Sequence, residues 1–143
     1  MRPATTEIIA RAVIRRGGQL LLARQRTKSW LFLPGGHVEP GERVEVALVR
    51  EIAEELGTEA KIVRCVGVVE HGYIEDDASR HELNLVFEVA ITDTEPVSRE
   101  DHLEFHWLPI DQLAETDVRP GAVKKALLVS EDDRAPFWHG WKG

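Results

Sequence analysis

The sequence predicts one mixed α/β domain with more strands than helices. Short runs rich in Val, Ile and Leu recur between clusters of Gly, Pro and acidic residues, the pattern of strands separated by turns. One long stretch free of Gly and Pro, Arg43 to Leu56, reads as a helix and ends at Gly57. The 143 residues make a single domain of ordinary size. A chain of this length buries roughly 68–70% of its unfolded surface, so it folds without a disulfide or a structural metal.

Taken in order, Glu7 to Arg15 is a strand built on Ile8, Ile9, Val13 and Ile14, and Gly17-Gly18 turns it into a second strand, Gln19 to Arg24. Trp30 to Leu33 is a short apolar piece stopped by Pro34-Gly35-Gly36. After the helix, Ala60 to Glu70 is a strand and His71 to Arg80 a polar loop. Glu82 to Ile91 alternates as a half-buried strand, and Leu103 to Trp107 is a shorter one. Pro109 to Leu113 can start a helix, and Pro120 to Leu128 is a better one, with Pro120 near its start. Residues 131–143 form a polar tail that carries Phe137, Trp138 and Trp141. Aromatics in such a setting point to docking, against this domain or against a second subunit in a homodimer.

The 25 acidic and 18 basic residues leave a net charge of −7. That disfavours a broad electrostatic grip on nucleic acid or on an anionic membrane, so neither is an expected partner. It leaves open a small phosphorylated ligand, because a local patch or a bound cation reverses the field. Cys65 is the only cysteine, which excludes an intrachain disulfide and a cysteine zinc site and fits a reducing compartment. No apolar run reaches the ~18 residues of a membrane span. Met1 to Glu7 lacks the features of a signal peptide, and the expected location is cytoplasmic.

The informative stretch is Gly36 to Thr58. On a helix, Glu51, Glu54 and Glu55 stand at i, i+3 and i+4 and share one face. Leu48, Val49, Ile52 and Leu56, with Val46 and Ala53, fall on a side that packs on a sheet. Like charges at this spacing weaken a helix by about 0.2–0.5 kcal/mol per pair. A solvated acidic face is the plain reading of such a cluster. A hard divalent cation among the carboxylates relieves the repulsion, and all-oxygen ligands suit magnesium or manganese. Arg50 lies at i, i+4 from Glu54 and can hold a carboxylate in place.

The order Gly36, five residues, Glu42, seven residues, then Arg50-Glu51-Ile52-Ala53-Glu54-Glu55-Leu56-Gly57 resembles the Nudix box. Thr58 departs from it, standing where the family has an aliphatic residue. The box covers 23 of the 143 residues. The resemblance implies a Nudix-type α/β/α sandwich around a mixed sheet. It implies hydrolysis of a nucleoside diphosphate linked to another group, with water attacking phosphorus, assisted by Mg2+ or Mn2+. On this resemblance Glu51, Glu54 and Glu55 hold the cations with a backbone carbonyl of Gly35 or Gly36. Arg50 orients the glutamates, and Glu42 is the earlier loop glutamate. The general base is Glu54 or Glu55, or comes from a later loop, where Glu100, Asp101 and Glu104 are the candidates; Asp101 and Glu104 are also candidates for an extra cation ligand.

Arg24, Arg26 and Lys28 are a basic group placed to meet phosphates, or are ordinary surface bases. Trp30 and Phe32 either stack on a base or belong to the core. His37 is expected at the mouth of the cleft, and His71, Tyr73, Arg80 and His81 at its rim. In MutT-type relatives the region before the last helix recognises the base, which makes Asp117 and Arg119 candidates. The expected partner is a small nucleoside diphosphate derivative: a nucleoside triphosphate, a dinucleoside polyphosphate or a compound of the ADP-ribose type. The rival reading is a nucleotide-binding or regulatory module that keeps the fold without catalysis.

Overall fold

The structure, a computed structural model, describes residues 5–129 and 135–141. The expectations for Met1 to Ala4 and for tail residues 131–134 and 142–143 fall outside the described residues. The elements are β1 (Thr5–Val13), β2 (Arg15–Arg16), β3 (Gln19–Gln25), β4 (Gly35–His37), α1 (Val44–Leu56), β5 (Ala60–Glu75) and β6 (Ala78–Ile91). Then come β7 (Leu103–Pro109), a 3-10 helix (Ile110–Glu115), α2 (Gly121–Val129) and β8 (Phe137–His139).

A five-stranded sheet runs in the order β4-β1-β6-β5-β8, with β1 parallel to β6, β5 parallel to β8 and the other pairs antiparallel. A three-stranded antiparallel sheet runs β2-β3-β7. Successive strand residues point to opposite faces, and the two cores obey this. Ala12 and Phe87 pack with Leu48, Ile52 and Leu56 of α1, while Val13 and Val86 pack with Val123, Ala126 and Leu127 of α2. The helices therefore cover opposite faces of a mixed sheet, an α/β/α sandwich. Leu48, Ile52 and Leu56 are essentially inaccessible, and each contributes roughly 1.5–3 kcal/mol by burial.

Three expectations needed correction. The first two strands do not form one hairpin. Only Arg15 and Arg16 pair with β3, because the chain changes sheet at Ile14 and β1 pairs with β4 and β6 instead. The polar stretch His71 to Arg80 is not a loop: β5 continues to Glu75 and turns into β6 through Asp76 and Asp77, both at positive φ. Polar residues suit a strand whose faces look into a cavity or into solvent, and Asp tolerates the left-handed region in a tight turn. On α1, Val46 and Ala53 are exposed, because the stripe that meets the sheet is Ala47, Leu48, Ile52, Glu55 and Leu56.

Thr58, the departure from the box, is buried as an aliphatic residue would be. Its Oγ1 accepts a bond from the Asp93 amide at 3.1 Å, tying the end of α1 to the end of β6. Gly57 closes α1 at φ 62°, with its N–H on the Ala53 carbonyl at 2.9 Å. Within the tail, β8 docks on β5, and the Phe137 ring fills the space above Gly67.

Gly35 fixes the start of the site. Its φ is 139°, and a Cβ there would lie 2.0 Å from the Ala10 carbonyl oxygen. Gly35→Ala is expected to cost at least about 2 kcal/mol, through a disfavoured backbone and a backbone clash together. A denaturant melt that leaves the midpoint unchanged would contradict this.

Candidate active site

Residues Glu42 to Glu55 are organised by Arg50. Its Nε and Nη2 donate to the two Glu42 carboxylate oxygens at 2.9 and 3.1 Å, a bidentate pair. Its Nη1 donates to Glu51 at 3.0 Å and to Glu54 at 3.4 Å, and Nη2 reaches the His37 carbonyl at 3.4 Å. Glu42 also accepts from the Glu39 amide at 3.1 Å. These bonds, the Arg50 one foremost, hold the Glu42 carboxyl below the usual range. Three carboxylates, those of Glu42, Glu51 and Glu54, are thus gathered by one guanidinium across the loop and the second half of α1.

Their environments are graded. Glu54 is 52% exposed and Glu51 19%, while Glu55 is only 5% exposed. Glu55 stands at i+3 from Ile52 and i+7 from Leu48, so it belongs to the buried stripe. Burial first, and the adjacent Glu51 charge second, push its carboxyl up to about 8. The Gly35 backbone and Arg11 act in the opposite sense without prevailing. Glu55 Oε1 is buried and has no hydrogen-bond partner. Gly36 lets the loop close on this cluster, since a Cβ there would lie 2.5 Å from the Glu51 carboxyl carbon.

Among the described residues, no three His, Cys, Asp or Glu side chains converge as a ready cation site. The donor set nonetheless fits a hard divalent ion. It is all oxygen and rich in negative charge, and it includes a buried carboxylate oxygen that lacks a partner.

Beside the cluster lies a cavity of about 590 Å³. Trp30 and Phe32 form one aromatic wall, and His71 and Tyr73, stacked at 5.2 Å, form another. Arg11, Gln25, Glu82 and Arg119 supply its polar groups. Trp30 and Phe32 therefore line a cavity, while Leu31 between them packs on the core. The loop before α2 is bonded to this wall: the Leu31 amide donates to the Asp117 carbonyl and the Arg119 amide to the Leu31 carbonyl. Asp117 itself grips the Arg119 guanidinium with both oxygens at 3.1 Å, and that guanidinium lies 4.2 Å over the Trp30 ring.

The other predicted residues gather elsewhere. Arg24 and Arg26 both bond to Glu104, which faces Arg24 across β3 and β7, and neither arginine lines the cavity. The two arginines thus stand in an ion-pair cluster set by strand register, while Gln25, pointing the opposite way, lines the cavity. Arg24 first, then His106 and Arg26, hold the Glu104 carboxyl below its usual range. The Asp101 carbonyl accepts from Arg26 at 2.7 Å. His37 is exposed and paired with Glu7, and His81 is bonded to Glu70 and Thr6.

Sequence reasoning passed over Arg11, Gln25 and Glu82. The available signal was a lone arginine inside the apolar run Ile8 to Ile14, where a charge needs a reason.

A helix carrying a graded carboxylate cluster, facing a glycine loop on a mixed sheet between two helices, is the arrangement of one family. The chain belongs to it: the NUDIX domain pattern matches residues 5–129. It is similar to the nucleoside triphosphatase NudI of Escherichia fergusonii, with 30% identity over 132 residues, 82% of this chain and 91% of that protein. It is similar to the ADP-ribose pyrophosphatase of Methanocaldococcus jannaschii, with 32% identity over 104 residues, 71% of this chain and 60% of that protein. The chain spans 44% to 60% of the length of several curated relatives it matches. The fold is that of the MutT protein from Methanosarcina mazei, with a TM-score of 0.78 at 21% identity, covering 94% of this chain and 100% of that one. Among the described residues, no helix is long and apolar enough to cross a membrane.

Proposed function

We propose that the chain hydrolyses a nucleoside diphosphate linked to another group, with water attacking phosphorus. One observation carries this reading: Glu51 and Glu54 gathered by Arg50, with Glu55 beside Glu51 holding an unpartnered buried oxygen. Glu51, Glu54 and Glu55, with a backbone carbonyl of Gly35 or Gly36, would hold divalent cations, Mg2+ or Mn2+. Such ions supply Lewis acidity toward phosphate oxygens and lower the pKa of bound water. Arg50 keeps Glu51 and Glu54 at fixed positions, and Glu42 in turn fixes Arg50. A carboxylate of the cluster, Glu54 or Glu55, takes the proton from the attacking water. The two aromatic walls of the cavity suit the nucleoside. Relatives whose names include nucleoside triphosphatase and ADP-ribose pyrophosphatase support the substrate class: nucleoside triphosphates, dinucleoside polyphosphates or ADP-ribose type compounds.

Purified protein is expected to release nucleotide or phosphate from at least one member of a panel of these compounds, only when Mg2+ or Mn2+ is supplied. Inertness across the panel with both ions would sink the hydrolase reading and favour a binding module.

A further inference from the structure

We propose that Arg11 anchors the phosphate on the nucleoside side of the bond that is broken, so that the cavity and the carboxylate cluster grip one diphosphate from its two ends. This rests on the hydrolase reading above. Arg11 is a β1 residue whose register partners are Gly35 on β4 and Val86 on β6. It thus stands directly beside the glycine loop of the cluster, and its side chain lines the cavity.

Its bonding marks it out. Nε donates to the Asn84 Oδ1 at 3.2 Å and Nη1 to the Leu33 carbonyl at 3.3 Å, both neutral acceptors. Nη2 makes no hydrogen bond among the described residues. Glu82 and Glu55 lie near enough to act on it electrostatically, yet neither forms a direct bond with it. A half-buried guanidinium whose direct acceptors are all neutral still lacks an anion bonded to its charge.

The cavity's other cation, Arg119, differs in this respect: Asp117 holds it with two bonds and Trp30 covers it. Among the described residues that line the cavity, Arg11 is therefore the arginine left for an anionic ligand. Asn84, fully buried, fixes its direction by also donating to the Val69 carbonyl. The Phe32 ring, 6.0 Å from the guanidinium carbon, lies beside it on the aromatic wall. The ligand that fits is a phosphate attached to an aromatic base through a sugar.

The test measures binding of AMP, GMP, CMP and UMP, and of the four matching nucleosides, in Mg2+ buffer, to the wild type and to Arg11→Gln and Arg11→Lys. The wild type is expected to prefer at least one monophosphate over its nucleoside. Arg11→Gln should shrink that preference by about tenfold, the contribution of one charge-assisted bond, with nucleoside affinity unchanged. Arg11→Lys should restore part of it. An unchanged preference in a folded Arg11→Gln overturns the anchor, as does a wild type that binds no monophosphate. If Arg11→Gln does not fold, the Arg11 Nε–Hε NMR signal of the wild type decides. It should shift with the bound monophosphate and not with its nucleoside, and equal shifts overturn the proposal. Hydrolysis of the diphosphate panel is scored separately. Protein that binds through Arg11 and hydrolyses nothing keeps the anchor and loses the hydrolase reading; hydrolysis with an unchanged preference does the reverse.

Discussion

Glu54→Gln and Glu55→Gln are each expected to lower turnover by more than ~100-fold with the fold intact. The two residues reach this result from different environments. Glu54 is half exposed and weakly bonded to Arg50, so its amide is structurally neutral and the effect is confined to turnover. Glu55 is buried, and the amide removes a charge that the fold itself disfavours. Circular dichroism and a thermal melt establish the fold, and steady-state rates at saturating Mg2+ give the effect. Near-normal rates in both variants would refute the assignment of these carboxylates.

The second large effect is on stability, and its sign follows from Glu55. Its carboxyl sits near 8 in the folded chain against an ordinary 4.5. Between these values the folded state keeps a proton that the unfolded state has released. The contribution of Glu55 to stability is therefore fullest below pH 4.5, falls as the pH rises and levels off above 8. The shift corresponds to a few kcal/mol, on the order of 1.4 per pKa unit. In EDTA, the melting temperature is expected to drop from pH 5 to pH 8, and Glu55→Gln should flatten that drop and be the more stable protein at pH 8. Mg2+ should raise the wild-type melting temperature more at pH 8 than at pH 5, since cation and proton compete for the same oxygens. The same pH slope in wild type and Glu55→Gln would show that burial of Glu55 does not govern it.

The opposing directions of these two expectations explain why a buried acid is kept there. A residue that destabilises the empty fold and serves the loaded one is a familiar trade between stability and activity.

How much of this was legible in the sequence depended on range. The box helix, its glycine stop and the carboxylate spacing are local, and they could be read directly from residues 36–58. The grading of the three glutamates could not. Which side of α1 meets the sheet decides that Glu55 is buried while Val46 is exposed, and the sheet is assembled from strands far away in the chain. Arg24 and Arg26 looked ready for phosphate because their partner, Glu104, arrives only through the pairing of β3 with β7. Arg11 stood out only as a charge in an apolar run, and its place in the cavity could not be read for the same reason: its neighbours come from β4, β6 and the Trp30 segment. The extension of β5 to Glu75 was hidden by composition, since polar residues facing a cavity read as a loop.

That extension separates two duties along the chain. His71, Tyr73 and Glu82 reach the cavity from the arms of one hairpin, whose turn is Asp76-Asp77, and none of them belongs to the box. Lengthening, shortening or recolouring those arms alters what the cavity admits and leaves residues 36–58 untouched. One wall of the cavity can thus be reshaped through a single hairpin, at a distance in the chain from the carboxylate helix.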